Sequence, residues 1–241
     1  MCTATYLPLP DGDYMLTHSR DEKTIRPASF PPRSYCHTGQ TLVYPKDPQG
    51  GGTWIVASAR LTVCLLNGAF RPHLPQPPYR HSRGLVPLQV FDYNSIDDFL
   101  DQHKPEGLEP FTLLLVQKNR LVELRWDGRR RCVTEQLSDR PRIWSSVTLY
   151  LPEVIGQREY WFYDWLQHNP EPTFTDIRQF HLTAGQHDPE NGLFMNRQDA
   201  LKTLSLTGIL HQHGVVEIHH DDFIRQQATH HTLQPSCHAT A

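Results

Sequence analysis

The sequence predicts a single α+β domain in which helices cover antiparallel sheets. Three observations carry that reading. Strand-like runs crowd both ends of the chain with helical patterns between them. Hairpin signals recur among the early strands. No linker, internal repeat or composition shift divides the 241 residues. A content of 38% hydrophobic and 20% charged residues gives enough apolar material for a substantial core.

The first segment alternates loosely and breaks at Pro10-Asp11-Gly12-Asp13, where Asp-Gly between strand-like runs signals a hairpin. A two-residue Asp11-Gly12 loop sets Pro10 against Asp13, Thr3 against Arg20 and Cys2 against Asp21. A slip of one residue would keep these groups close but turn them to different faces. Residues 26–50 are rich in Pro, Ser and Gly and read as a loop ending at Gly50-Gly51-Gly52. "TWIVAS" and "LTVCLL" flank Ala59-Arg60 as a second hairpin, whose return strand brings Asn67 level with the glycine run. Residues 71–87, with several prolines, read as another irregular connection. "NSIDDFLDQH" joins a capping residue to apolar Ile96, Phe99 and Leu100, which predicts a short helix. A meander follows, in which "FTLLLVQ", "LVELRW" and "RCVTEQ" are separated by Asn119-Arg120 and Asp127-Gly128. A longer helix starts at Pro152 and shows a stripe of Val154, Arg158, Trp161, Phe162 and Trp165. "GLFMN", "LKTLSLTGIL" and "VVEIHH" read as late strands. The domain is expected to span 1–225, leaving 226–241 as a polar, flexible tail.

Composition excludes several classes of function. The net charge of -3 and the single short basic cluster "RWDGRRR" argue against nucleic-acid binding. No secretory signal is expected at the start, and no apolar run is long enough for a membrane span. The five cysteines are odd in number and widely spaced, without a Cys-x-x-Cys pair. They suggest neither a disulfide framework nor a zinc knuckle, so a reducing, cytoplasmic setting is expected. "HQHGVVEIHHDD" offers His211, His213, Glu217, His219, His220 and Asp221, but hairpin alternation would scatter them over both faces. No metal and no cofactor are therefore expected. Trp161, Phe162 and Trp165 read as core packing, and Cys64, within an apolar strand, reads as buried and inert.

Cys2 is the residue with chemistry to offer. Alone, a cysteine in second position reads as an accident of a frayed end. Cysteine is small enough to permit loss of Met1, however, and the freed α-amine could then act as base for its own thiol. The hairpin returns Arg20 and Asp21 to that end. The guanidinium favours thiolate over thiol, and the carboxylate would orient the amine. Attack on a carbonyl also needs donors for the oxyanion, and Asn67 at a strand end beside a glycine loop is one candidate. An ordinary turn asparagine before Gly68 is the competing reading.

"MCT" at the start, "SRDE" at 19–22, "DPQGGGTW" at 47–54 and the following Asn67 together resemble the NRDE family, also described as transport-and-Golgi-organisation 2-like. That family is related to N-terminal-nucleophile hydrolases of the choloylglycine hydrolase and penicillin V acylase type. The resemblance implies a four-layer αββα sandwich, with Cys2 as nucleophile after loss of Met1. It places Arg20 and Asp21 at the sulfur and the amine, and Asn67 in the oxyanion hole. Gly52, Thr53 and Trp54, with Ser146 and Lys202, are the substrate-binding candidates. Three positions depart from the pattern: Ser19 for the asparagine of the family name, Ser146 for a second asparagine, and Lys202 for a late arginine. The implied activity is hydrolysis of a non-peptide amide bond. The alternative is a binding protein that handles lipid or haem without turnover. Either way the partner is a small-molecule amide or a lipid-like ligand.

Overall fold

A computed structural model describes residues 2–234 and contains two seven-stranded antiparallel sheets. In chain order the early strands are β1 (Cys2–Pro8), β2 (Tyr14–Lys23), β3 (Phe30–His37), β4 (Gln40–Lys46), β5 (Ile55–Ala57) and β6 (Thr62–Asn67). Two short helices follow, α1 (Val86–Gln89) and α2 (Ile96–Gln102), the latter capped by the Ser95 hydroxyl accepting from the Asp98 amide. The meander is β7 (Phe111–Gln117), β8 (Arg120–Trp126) and β9 (Arg131–Gln136), and β10 (Arg142–Ser145) comes next. Helices α3 (Pro152–His168) and α4 (Phe174–Thr183) precede β11 (Asn196–Arg197), β12 (Leu201–Gln212), β13 (Val215–Asp222) and β14 (Gln227–Leu233).

The first sheet runs β10-β1-β2-β12-β13-β14, with β11 added to β12, and the second runs β3 through β9 in order. Strand alternation gives each sheet two faces, and three apolar clusters fill the spaces. Between the sheets, Ala4, Tyr6 and Leu16 of the first meet Val43, Cys64 and Leu114 of the second. On the outer face of the first sheet, Leu7 and Met15 pack under Phe162 of α3 and Phe180 of α4. On the outer face of the second, Leu113 and Leu115 pack under Val86, Phe99 and Leu100. The architecture is thus a four-layer αββα sandwich. Among the described residues no helix is long and apolar enough to cross a membrane.

Several elements differ from the sequence reading. The first turn is wider than two residues: Pro10–Gly12 form a 3-10 turn, closed by the Leu9 amide on the Asp13 carbonyl. This moves the register by one, so Cys2 pairs with Arg20 and Thr3 with Ser19. Residues 26–50 are not a loop throughout but include the β3–β4 hairpin. Pro31 and Pro32 are accommodated there because β3 is an edge strand. Of "GLFMN", the first four residues are irregular, with Leu193 and Met195 buried, and Asn196 alone enters a strand, the short β11. Part of the expected flexible tail forms β14, because its amides pair with β13 from Val216 to Asp222. Residues 235–241 of that tail lie outside the described residues.

Candidate active site

Cys2 opens β1, which lies between β10 and β2 in the first sheet. The Cys2 carbonyl accepts from the Ser146 amide at 2.9 Å, which fixes the strand end from the β10 side. Its side chain faces the other sheet and is only 3% exposed. It lines a cavity of about 90 Å³ together with Arg20, Thr53, Trp54 and Asn67. Arg20 reaches the same face because it is the cross-strand partner of Cys2. Its guanidinium lies 4.5 Å above the Trp54 ring, a cation–π contact.

The cavity walls carry further charges. Arg26 bridges Glu22 at 3.0 Å and Asp47 at 3.1 Å, and Arg83 pairs with Glu109 at 3.0 Å. Among the described residues no carboxylate lies within ion-pair distance of Arg20, so it is a cation beside the thiol without a direct ion-pair partner, although Glu22 in the same cavity feels its charge. Burial pushes the Cys2 thiol above its ordinary value, and the Asp21 carboxylate adds to this, while Arg20 pulls the other way.

The glycine loop is built around Asp47, whose amide donates to Gly52 and whose carbonyl accepts from Gly51. At Gly52 a Cβ would sit 2.1 Å from the Gly84 carbonyl oxygen, so only glycine lets the segment at 82–84 close over the cavity. The Thr53 amide then donates to Gly84 at 2.7 Å. Gly52 supports the wall, whereas Thr53 and Trp54 form part of it.

Asn67 ends β6, and its carbonyl accepts from the Ser146 hydroxyl at 2.7 Å. Asn67 also lines a second cavity of about 360 Å³, walled by Glu123, Arg142 and Trp144 among others. It therefore lines both spaces. Ser146 is buried behind it and lines neither cavity.

Asp21 is placed differently from the sequence reading. The one-residue shift turns it to the helix-covered face, away from the thiol. There it is fully buried, accepting from the Tyr150 hydroxyl at 2.5 Å and the Thr203 hydroxyl at 2.7 Å. Burial pushes its carboxyl up, although Arg158, Thr203 and Tyr150 draw it back. Arg158, itself buried, donates to Thr3 Oγ1 and to the Asn191 and Gly192 carbonyls, and its guanidinium lies 3.6 Å over the Tyr150 ring. Ser19 shares this outer face and contacts His181 at 2.8 Å, as does Thr5, so its departure from asparagine does not reach the cavity. Lys202 is cross-strand from Glu22 but pairs with Asp199 at 2.7 Å and does not line the cavity.

Sequence reasoning missed Arg26, Asp47, Arg83, Tyr150, Arg158 and Thr203 as site residues. Asp47 lies inside the quoted "DPQGGGTW", and Arg158 broke the apolar stripe of its helix as a lone charge. Arg26 and Arg83 come from irregular segments and carry no pattern.

A sequence model of the family described as Transport and Golgi organisation 2 matches residues 1–150. No curated protein sequence matches the chain significantly. Among solved structures, the chain is similar to penicillin V acylase from Agrobacterium tumefaciens, with 11% identity, a TM-score of 0.55, and coverage of 95% of this chain and 85% of that one. It is also similar to a mutant of conjugated bile acid hydrolase from Clostridium perfringens, with 10% identity, a TM-score of 0.59, and coverage of 96% and 92%. At these identities the likeness concerns the fold, which is that of N-terminal-nucleophile hydrolases.

Proposed function

The chain belongs to the Transport and Golgi organisation 2 family, and from the geometry of its cavity we propose that it is a cysteine N-terminal-nucleophile hydrolase acting on a non-peptide amide bond. The observation that carries this reading is that Cys2 and Asn67 share one cavity with Arg20, which has no direct ion-pair partner among the described residues. A cavity of about 90 Å³ holds only the reacting group. The second space of about 360 Å³, which Asn67 also lines, is large enough for one flank of the substrate.

Loss of Met1 frees the Cys2 α-amine. The register carries Asp21 one step beyond Cys2, level with that amine, where its charge favours the ammonium formed during reaction. The raised thiol does not ionise by itself at neutral pH, so the amine takes its proton as sulfur attacks the carbonyl carbon. The Asn67 side-chain amide donates to the oxyanion, and Arg20 adds positive potential. Collapse breaks the carbon–nitrogen bond, and the ammonium returns its proton to the leaving amine. Water, deprotonated by the same amine, then cleaves the thioester and restores the thiol.

Cys2→Ser, assayed on a panel of chromogenic acyl anilides, should lose at least about a thousandfold in kcat/KM while unfolding at the same temperature. Retained turnover in that variant overturns the reading. The non-catalytic alternative draws support from the raised thiol, which suits an inert cysteine. A cavity lined by Arg20, Glu22, Arg26 and Asp47 is too small and too charged for a lipid chain or haem, which weakens it. Mass spectrometry with a thiol-directed acylating probe separates the two. Absent Met1 with one fast adduct on Cys2 favours the enzyme, and retained Met1 favours the binder.

A further inference from the structure

Away from the nucleophile cavity, the outer face of the first sheet carries a group of metal-ligating side chains. Alternation puts Glu217 and His219 on the same face of β13, and His219 is directly opposite His230 of β14. Their ligand atoms all lie within 4.8 Å of one another. His219 Nε2 is 3.5 Å from Glu217 Oε2, and His230 Nε2 is 3.6 Å from the same oxygen. Both separations exceed the roughly 2.9 Å of an N–H···O hydrogen bond. They sit close to the edge of a metal tetrahedron, which for bonds of about 2.0–2.1 Å is about 3.3 Å.

The surroundings hold this arrangement in place. Gly208 is the β12 partner of His219. A Cβ there would come within 2.7 Å of the Phe174 ring, so glycine lets that ring settle edge-on against His219 at 5.0 Å between centroids. The nearby Arg178 is engaged by Asp221 at 2.5 Å, which offsets its repulsion of a bound cation. The three side chains remain half-exposed or exposed, so an ion can reach them.

We propose that Glu217, His219 and His230 form a site for a divalent transition metal of the zinc type, with two imidazole nitrogens, one carboxylate oxygen and a water completing the tetrahedron. The metal joins β14 to β13 as a cross-strand clip. Within "HQHGVVEIHHDD" alternation leaves the ligands Glu217 and His219 on one face and turns His220 to the other; the third ligand comes from the next strand, in the segment expected to be a tail. This site is independent of the proposed hydrolysis.

The test uses the full chain, stripped with a chelator and dialysed. Zinc is titrated against a chromophoric competitor, and thermal unfolding is followed alongside. One equivalent should bind with a Kd on the order of micromolar. The melting temperature should rise by about 5–10 °C at a hundredfold excess of free zinc over Kd. His230→Ala and Glu217→Gln should each weaken binding at least tenfold, while His231→Ala, on the opposite face of the same strand, should not. No saturable binding overturns the proposal, and so does binding that His230→Ala and Glu217→Gln leave unchanged. If His230→Ala does not fold, Glu217→Gln decides.

Discussion

Arg158→Met removes the cation buried behind β1 while keeping most of its volume. The guanidinium donates to Thr3 Oγ1 and to the Asn191 and Gly192 carbonyls, and it is the foremost charge opposing the burial of Asp21. Its loss leaves acceptors without donors, at about 1–3 kcal/mol each, beside an uncompensated acid. Arg158 opposes the Asp21 charge across Tyr150 rather than in a direct ion pair, and stranding a buried charge of this kind costs up to about 3–5 kcal/mol. For a chain of this size that lowers the melting temperature by about 6–20 °C. Urea denaturation followed by tryptophan fluorescence, with calorimetry, measures the change. Asp21→Asn combined with Arg158→Met closes a double-mutant cycle, and a coupling of about 1–3 kcal/mol is expected because each single change strands the other charge. A variant within about 1 kcal/mol of the wild type, or a cycle without coupling, refutes this account of the site.

Gly52→Ala places a Cβ 2.1 Å from one backbone atom of the 82–85 segment and 2.7 Å from another, so the segment must move and the Thr53–Gly84 hydrogen bond breaks. The expected loss is about 2 kcal/mol, read from the urea midpoint, and an unchanged midpoint contradicts it. His181 is held by burial at about 3, whereas the unfolded chain takes up that proton near 6.5. The unfolded state therefore binds more protons between those values, and stability falls as pH drops through that window. From pH 7 to pH 4 this residue accounts for a loss of about 3 kcal/mol, and His181→Gln should show a drop smaller by that amount. Equal drops in variant and wild type, from urea midpoints at both pH values, would falsify the assignment.

Much of the layering was legible because alternation and turn chemistry are local. "FTLLLVQ", "LVELRW" and "RCVTEQ" became β7, β8 and β9, and Pro152 did begin α3. The register of the first hairpin was not legible. It depends on whether Asp11-Gly12 closes a two-residue loop or a 3-10 turn, a choice that propagates to every pair and decides the face of Asp21. Helix α4 escaped notice because its buried residues, Ile177, Phe180 and His181, form a narrow stripe that includes a polar ring. The cavity walls were harder still. Arg26 and Arg83 meet Cys2 only through tertiary folding of irregular segments, and no spacing in the chain encodes that meeting. His230 became a neighbour of His219 only when the last described strand was seen to pair with β13.

The strand order of the first sheet sets a timetable for synthesis. Strand β1 is gripped by β10, more than a hundred residues downstream, and β2 is gripped by β12, whose last residue is Gln212. Contacts so distant in sequence close late, after most of the polypeptide has left the ribosome. During that interval β1 has no completed sheet around it. The loss of Met1 that the proposed mechanism requires has this interval in which to occur, before β10 and β12 close the cradle of the thiol.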